Sequence, residues 1–200
     1  MSDVAVGAEA RDDHPIGLTV TDDLRRSRLT VFFRLLLAIP SLIWLGLWGI
    51  LAEIVLVVAW FVALFTGRVP ESIHALLASF IRFSTRLNAY ILLLANPFPG
   101  FTNGQPYPVD ARIAPAAAQS RLTVLFRIIL AIPAVILTYV FRIVNNVVAF
   151  LSWFYILFTG RMNEGMRNIS LWLFKYEVQT YAYVFLLTGR YPSLAGGPTV

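Results

Sequence analysis

One acidic residue, Glu53, lies inside a long apolar stretch of this chain. A carboxylate in such surroundings could hold a proton or a cation, above all beside a counter-ion such as Arg142 of a second apolar stretch. The alternative is a water-exposed turn or a structural ion pair, because the position matching Glu53 carries Asn146 and no second acid. The sequence therefore predicts a candidate polar or ion site made of Glu53, Arg142, Asn145 and Asn146.

Basic side chains flank the apolar stretches, and a guanidinium group can pair with phosphate through two hydrogen bonds. Arg34 and Arg127 lie at matching positions just inside the two stretches. They could extend toward the membrane surface or clamp a lipid phosphate together with their neighbours. The candidate lipid-phosphate contacts are Arg28, Arg34, Arg68, Arg82, Arg86, Arg121, Arg127, Arg161 and Lys175.

Groups suited to catalysis are not found at useful spacing. The chain has no cysteine, which excludes disulfides and thiolate metal sites. It shows no glycine-rich phosphate loop, no paired metal ligands and no Ser-His-Asp arrangement. We therefore expect neither an enzyme nor a bound cofactor or metal. The net charge of +5 comes from arginines beside apolar runs, so nucleic acid is not an expected partner.

The segments that contain these residues occur twice in the sequence, as an internal repeat. Residues 28–40 return as 121–133, and residues 60–68 return as 153–161, both at an offset of 93. A repeat of this length is a domain-sized unit and predicts a pseudo-two-fold molecule. We divide the chain into a disordered tail (1–13), repeat 1 (14–99), a linker (100–106), repeat 2 (107–192) and a flexible C-terminus (193–200).

The composition is that of an integral membrane protein. Hydrophobic residues make up 58% of the chain and the mean hydropathy is +0.71, whereas soluble domains are about 45–50% apolar. Each apolar run (29–65 and 122–158) would form a helix of about 55 Å, longer than the ~30 Å hydrocarbon core. This length predicts a transmembrane hairpin with its tip near 46–53 or 139–146. The alternative is an interfacial helix at 29–40 followed by one span at 41–65.

A basic amphipathic helix is predicted after each apolar run, from residue 70 to about 95 in repeat 1. Arg82 and Arg86 lie opposite an apolar stripe, and Lys175 continues this basic track in repeat 2. Such a helix is typical of the membrane interface. Gly67 and Gly160, in the two Thr-Gly-Arg segments, should end the preceding helices. The predicted fold is thus an all-α membrane protein of two tandem pseudo-symmetric repeats, each a transmembrane hairpin plus an interfacial helix.

Two smaller features concern pairing and orientation. Residues 16–20 and 109–113 alternate apolar and other residues, so they could pair as strands or serve as extended linkers. In the hairpin arrangement the repeats are parallel, with fifteen of the 16 basic residues on the side of both termini. The positive-inside rule then places both termini in the cytoplasm.

A set of motifs in both repeats resembles the bacterial domain-of-unknown-function family 4389. The motifs are Arg-x-x-x-Ala-Ile-Pro, Trp-Phe-x-x-Leu-Phe-Thr-Gly-Arg and a later Ala-Tyr, here Ala89-Tyr90 and Ala182-Tyr183. The usual histidine after the proline is replaced by Ser41 and Ala134. The resemblance implies a membrane-embedded module and assigns no activity.

We therefore expect a non-enzymatic accessory or scaffold subunit of a complex in the bacterial plasma membrane. Its expected partners are membrane lipids, above all anionic ones, and a larger protein complex or further copies of itself. The alternative is a small transporter or channel with its pathway between the repeats.

Overall fold

The computed structural model describes residues 14–101 and 105–195, and the predicted tail at 1–13 lies outside them. Each repeat contributes one strand, one short helix, one long helix and one medium helix. In repeat 1 these are β1 (Ile16–Val20), α1 (Arg28–Phe32), α2 (Arg34–Thr66) and α3 (Glu71–Ile91). In repeat 2 they are β2 (Val109–Ile113), α4 (Arg121–Leu125), α5 (Arg127–Thr159) and α6 (Glu164–Val184).

The predicted hairpins are wrong, because each apolar run forms a single helix of 33 residues. α2 and α5 pass through the expected tips and through Pro40 and Pro133 without ending. Neither expected tip contains a proline, and isolated glycines such as Gly46 and Gly49 do not by themselves make a turn. The alternative, with one long helix per repeat, is closer, but its division at Pro40 is wrong, since the break falls at Phe33 and Phe126 and not at the prolines.

The two strands do pair, as one of the two interpretations of their alternation predicted. β1 and β2 form an antiparallel ribbon in which Leu18 lies opposite Ala111. These two residues are equivalent in the repeats, so the pseudo-two-fold axis passes between them. Alternate residues of both strands, from Ile16 to Val20 and from Val109 to Ile113, are buried against the helices.

The repeats exchange their short helices. Trp60 Nε1, near the end of α2, donates a hydrogen bond to the Val124 carbonyl of α4 at 2.9 Å. Reciprocally, Trp153 Nε1 near the end of α5 donates to the Val31 carbonyl of α1 at 3.1 Å. Because α1 leads into α2 and α4 into α5, each long helix begins beside the end of the other. α2 and α5 are therefore antiparallel, whereas the hairpin arrangement predicted that the two repeats are parallel.

α3 and α6 occupy the centre of the molecule. They pack against each other, each also packs on the long helix of its own repeat, and the ribbon covers both. Arg86 and Lys175 are consequently buried and do not form the exposed basic face that was predicted. Arg86 instead pairs with Asp110 of β2 at 2.5 Å.

The long helices are exposed over most of their surface, and that surface is apolar. Only 17% and 22% of the most apolar segments of α2 and α5 are buried, so neither is a core helix of a soluble protein. Exposed fractions reach 61% at Ile43 and Ile50 and 79% at Phe158. Among the described residues, these two helices are long and apolar enough to cross a membrane.

Both long helices end as predicted, at a glycine in the left-handed conformation. Gly67 has φ of 76° and Gly160 has φ of 73°, and each amide closes the last helical turn. A Cβ at Gly67 would meet only ordinary van der Waals contacts, the nearest at 3.6 Å. The backbone conformation, and not lack of space, is what requires glycine here.

We predict that Gly67→Ala and Gly160→Ala each lower the stability of the protein by about 1–2 kcal/mol, the cost of a left-handed alanine. Thermal unfolding followed by tryptophan fluorescence measures this loss. The matched control is Gly46→Ala in the middle of α2, where an added Cβ meets nothing within 4 Å. That change should leave stability unaltered or raise it by up to about 1 kcal/mol. Equal effects at Gly46 and Gly67 would contradict the prediction.

Candidate functional site

A cavity of about 420 Å³, lined by both polar and apolar side chains, lies on the pseudo-two-fold axis, between α2, α3, α5 and α6. All four residues of the predicted polar site line it: Glu53, Arg142, Asn145 and Asn146. Ser84 and Asn88 of α3 and Glu177 and Tyr181 of α6 complete the polar lining. Leucine, isoleucine and phenylalanine side chains, among them Leu42, Leu45, Phe80 and Phe185, form the apolar remainder.

The counter-ion of Arg142 is Glu177 and not Glu53. Arg142 Nη1 lies 3.3 Å from a Glu177 carboxylate oxygen and donates to the Tyr181 hydroxyl at 3.2 Å. Sequence reasoning missed Glu177, although an acid between Tyr176 and Val178 in a largely apolar helix segment was an available signal. Glu53 is exposed toward the cavity and has no ion pair among the described residues.

The two asparagines have different roles. Asn145 is buried, and its amide nitrogen donates to the Ser170 carbonyl at 3.4 Å. The Ser170 hydroxyl in turn donates to Asn145 Oδ1, so this side chain ties α5 to α6. Asn146 is exposed and free to face a ligand in the cavity.

The charges around the cavity favour a ligand that carries a positive or hydrogen-bonding group. Glu177 lies beside Arg142, whereas Glu53 is exposed to the cavity without an ion pair among the described residues, so Glu53 is the acceptor that such a ligand would meet. Within residues 14–101 and 105–195, no three His, Cys, Asp or Glu side chains are grouped as metal ligands would be. The chemistry available is therefore ion pairing, hydrogen bonding and proton binding.

Burial raises the pKa of Glu177 above its ordinary value, and the nearby Arg142 opposes that shift. Folding therefore favours the protonated carboxyl. The stability that this group contributes is present at low pH and is lost as the pH rises through the folded-state pKa.

We predict two effects of Glu177→Gln, which keeps the shape of the side chain and removes its charge. The melting temperature should fall less steeply as the pH rises, and at pH 8 it should be higher than that of the unmodified protein. Thermal unfolding from pH 4 to 9 measures both effects. Glu71→Gln, at an exposed position, is the matched control for loss of an acidic group. An unchanged pH profile in Glu177→Gln would show that this carboxyl is solvated in the folded protein.

A second constellation is an arginine clamp at the end of α3. The Arg34 side chain is buried, and its two terminal nitrogens donate to the carbonyls of Tyr90 at 2.8 Å and Ala95 at 3.0 Å. Its guanidinium also lies over the Tyr90 ring, 4.3 Å from the centroid. The cation thus binds the negative end of a helix, the place that suits it electrostatically.

The same clamp recurs at the end of α6. Arg127 Nη1 lies 2.8 Å from the Tyr183 carbonyl and 2.7 Å from the Thr188 carbonyl, and the guanidinium lies 4.1 Å from the Tyr183 ring centroid. Gln119 Oε1 accepts a further hydrogen bond from Arg127. Arg34 and Arg127 were predicted to extend to the membrane surface or to bind lipid phosphate. The structure instead directs both guanidiniums to backbone carbonyls inside the protein.

The clamps surround a strained backbone. Leu93 and Leu186, just past the ends of α3 and α6, have φ of 65° and 60°, a conformation that leucine rarely adopts. Arg26 Nε donates to the Leu93 carbonyl at 2.9 Å, and Gln119 Nε2 donates to the equivalent Leu186 carbonyl at 2.7 Å. Sequence reasoning missed Arg26 and Gln119, because unlike residue types serve the same task in the two repeats.

Of the nine predicted lipid contacts, four are exposed near the ends of the long helices. Arg28 lies next to Gly160 and donates to the Phe158 carbonyl at 3.0 Å. Arg121 lies next to Gly67 at the other end of the pair. Arg68 and Arg161 follow these two glycines. Each end of the α2–α5 pair therefore presents two arginines to its surroundings.

Comparison with known proteins identifies a family. The family model described as a domain of unknown function, DUF4389, matches residues 28–102 and 121–195. No curated protein and no solved structure matches the chain. The two matches begin at the first residues of α1 and α4, contain both arginine clamps and together span about three-quarters of the 200 residues. The chain therefore belongs to the DUF4389 family and carries two copies of its domain in tandem.

Proposed function

We propose that this chain is a non-enzymatic membrane protein of the bacterial plasma membrane, held there by α2 and α5, and that it serves as an accessory or scaffold subunit of a larger complex. The observation that carries the proposal is the exposed apolar surface of the two long helices. Apart from Glu53, which faces the cavity, and Arg142, which pairs inward, those surfaces carry no charge between Leu35 and Phe65 or between Ile128 and Phe158. An apolar patch of this size on a soluble monomer would be abnormal.

The exposed arginines support contact with anionic lipid. Arg28 and Arg161 lie at one end of the helix pair, and Arg68 and Arg121 lie at the other. Each basic residue close to an anionic surface adds about 1 kcal/mol to membrane binding. Both termini would then lie on the cytoplasmic side, where anionic headgroups attract basic residues.

The experiment that tests the scaffold role is native mass spectrometry of the protein extracted in native nanodiscs. A particle well above 22.4 kDa that resolves into other chains would support an accessory subunit and identify its complex. A bare monomer or homo-oligomer would contradict the scaffold role. Retained phosphatidylglycerol that is lost when Arg28, Arg68, Arg121 and Arg161 become Gln would support the lipid contact. Arg112→Gln, on the ribbon, is the control.

A small transporter is the second candidate, and the cavity favours it. Glu53 offers an unpaired carboxylate there, beside the Arg142–Glu177 pair. One observation argues against a simple pore: α3 and α6 pack together between the cavity and the ribbon. If transport is the function, Glu53→Gln should abolish cation or amine flux in proteoliposomes while Glu71→Gln keeps it. Equal flux in both variants would remove Glu53 as the transport site.

A further inference from the structure

The ribbon and the cavity lie on opposite faces of the central helices. Arg86 of α3 contacts Asp110 in the ribbon, whereas Ser84 and Asn88, two residues to either side, line the cavity. α6 repeats this pattern, since Gln179 donates to the Ile16 carbonyl of β1 while Glu177 and Tyr181 line the cavity. Residues two apart on an α-helix are about 200° apart around its axis. The pseudo-two-fold axis therefore passes through the ribbon, the α3–α6 contact, the cavity and then between α2 and α5.

This order fixes the ribbon relative to the long helices. α2 and α5 are antiparallel and related by that axis, so the axis crosses them near their midpoints and perpendicular to their length. Glu53 and Asn146, the equivalent residues that line the cavity, lie close to the middle of α2 and α5. If the long helices stood across a bilayer, the ribbon would lie at the depth of the bilayer centre.

The ribbon is unsuited to that depth. Its outward face exposes Thr19 and the charged Arg112, whereas Asp110 pairs with Arg86 of α3. Within residues 14–101 and 105–195 the sheet has two strands, so each strand has one edge that no other described strand pairs. Open sheet edges and exposed charges do not occur in contact with hydrocarbon.

The length of the apolar surface leads to the same conclusion. The exposed apolar side chains run from Leu35 to Phe65 in α2 and from Ile128 to Phe158 in α5. At 1.5 Å per residue each surface is about 45 Å long, against a hydrocarbon core of ~30 Å. A crossing helix would need a tilt of about 48° to bury it, beyond the usual range of 0–40°.

We propose that α2 and α5 lie in the plane of the membrane, embedded side by side in one leaflet, with the ribbon facing the water. The occupant of their apolar face is then the acyl region of that single leaflet. The arginines at both ends of the pair, Arg28 with Arg161 and Arg68 with Arg121, all meet headgroups of the same leaflet. This arrangement rests on the proposed membrane location and specifies how the protein is held there.

Spin labels on α2 distinguish lying from crossing. The chain has no cysteine, so Leu36→Cys, Ile50→Cys and Phe61→Cys each introduce a single labelling site at an exposed position on one side of the helix. Nitroxide depth is measured in liposomes of phosphatidylcholine and phosphatidylglycerol, from collisions with oxygen and with a water-soluble nickel chelate. A helix in the membrane plane gives depths that agree within about 5 Å. A crossing helix places the first and last labels about 37 Å apart along its length, with the middle label deepest.

Labelling at the two ends provides a second readout. Glu71→Cys and Glu164→Cys are exposed, equivalent positions at opposite ends of the helix pair. In sealed vesicles whose protein has a single orientation, an impermeant maleimide should modify both positions from the same side, together with Thr19→Cys. Modification from opposite sides, with a depth maximum at residue 50, would overturn the in-plane arrangement and leave the membrane role intact. Failure of the unlabelled protein to float with the liposomes would instead overturn the proposed function itself.

Discussion

Replacing Arg34 by methionine should lower the melting temperature of the purified protein by about 10 °C. The substitution keeps the bulk of the side chain but leaves the Ala95 carbonyl without its donor, and it removes the charged hydrogen bond to the Tyr90 carbonyl, which keeps the Leu93 N–H. The orphaned Ala95 acceptor costs about 1–3 kcal/mol and the lost charged hydrogen bond to Tyr90 about 1.5–3 kcal/mol, so a total near 4 kcal/mol is expected. For a chain of 150–250 residues, 1 kcal/mol corresponds to about 2–4 °C. Arg127→Met should have a comparable effect in the other repeat.

Two controls separate the clamp from a general loss of charge. Arg68→Met removes an exposed arginine and should shift the melting temperature by no more than about 1–2 °C. Arg34→Lys keeps the charge, but an ammonium group lacks the planar guanidinium geometry that reaches both carbonyls. Its effect on the melting temperature should therefore lie between those of Arg34→Met and Arg68→Met. Tryptophan fluorescence follows unfolding in a mild detergent. If Arg34→Met and Arg68→Met behave alike, the clamp does not stabilise the fold.

Four aspartates on the outer faces of the long helices should abolish flotation of the protein with liposomes. The substitutions are Ile50→Asp, Ile54→Asp, Ile143→Asp and Val147→Asp, at side chains between 51% and 61% exposed. One aspartate at the membrane-embedded centre of a helix costs about 2.5–3.5 kcal/mol, so four cost about 10 kcal/mol. Sucrose-gradient flotation at alkaline pH, with vesicles of phosphatidylcholine and phosphatidylglycerol, measures the loss.

The matched control adds the same four charges on the side of the ribbon and the adjoining loop. Thr19→Asp, Pro115→Asp, Ala117→Asp and Ala118→Asp all lie at exposed positions outside α2 and α5. This variant should float like the unmodified chain. A variant with charged helices that still floats would mean that lipid does not cover those faces.

The sequence predicted the features that depend on local pattern. The offset of 93 defines both repeats, the alternation from residue 16 to 20 predicts a strand, and Gly67 and Gly160 mark helix ends. Each of these rests on one strong local cause: repetition, period-two burial or a left-handed backbone. The symmetry allowed β1 to pair with β2, although extended linkers were the alternative interpretation of the same residues.

What failed depended on contacts between distant segments. The hairpin was inferred because a straight helix exceeds the bilayer thickness, and that reasoning assumed that the helix must stand across it. Arg34 and Arg127 were placed at the membrane surface because their carbonyl partners lie 56 and 61 residues further along the chain. Glu53, Arg142, Asn145 and Asn146 were grouped correctly around one cavity, yet the partner of Arg142 came from α6, which the sequence did not connect to that site.

The exchange of short helices between the repeats has a consequence for synthesis on the ribosome. Trp60 bonds to Val124, a residue 64 positions further along the chain. At 5–20 residues per second, α2 emerges about 3–13 s before its α4 partner exists. During that interval α2 lies beside the exit tunnel of the ribosome, and the C-terminal half of its apolar surface is uncovered. If α2 is held in a membrane as proposed, we expect the nascent chain to need a membrane or an insertion factor before repeat 2 is translated, and we expect a truncated chain that stops at the linker to be degraded.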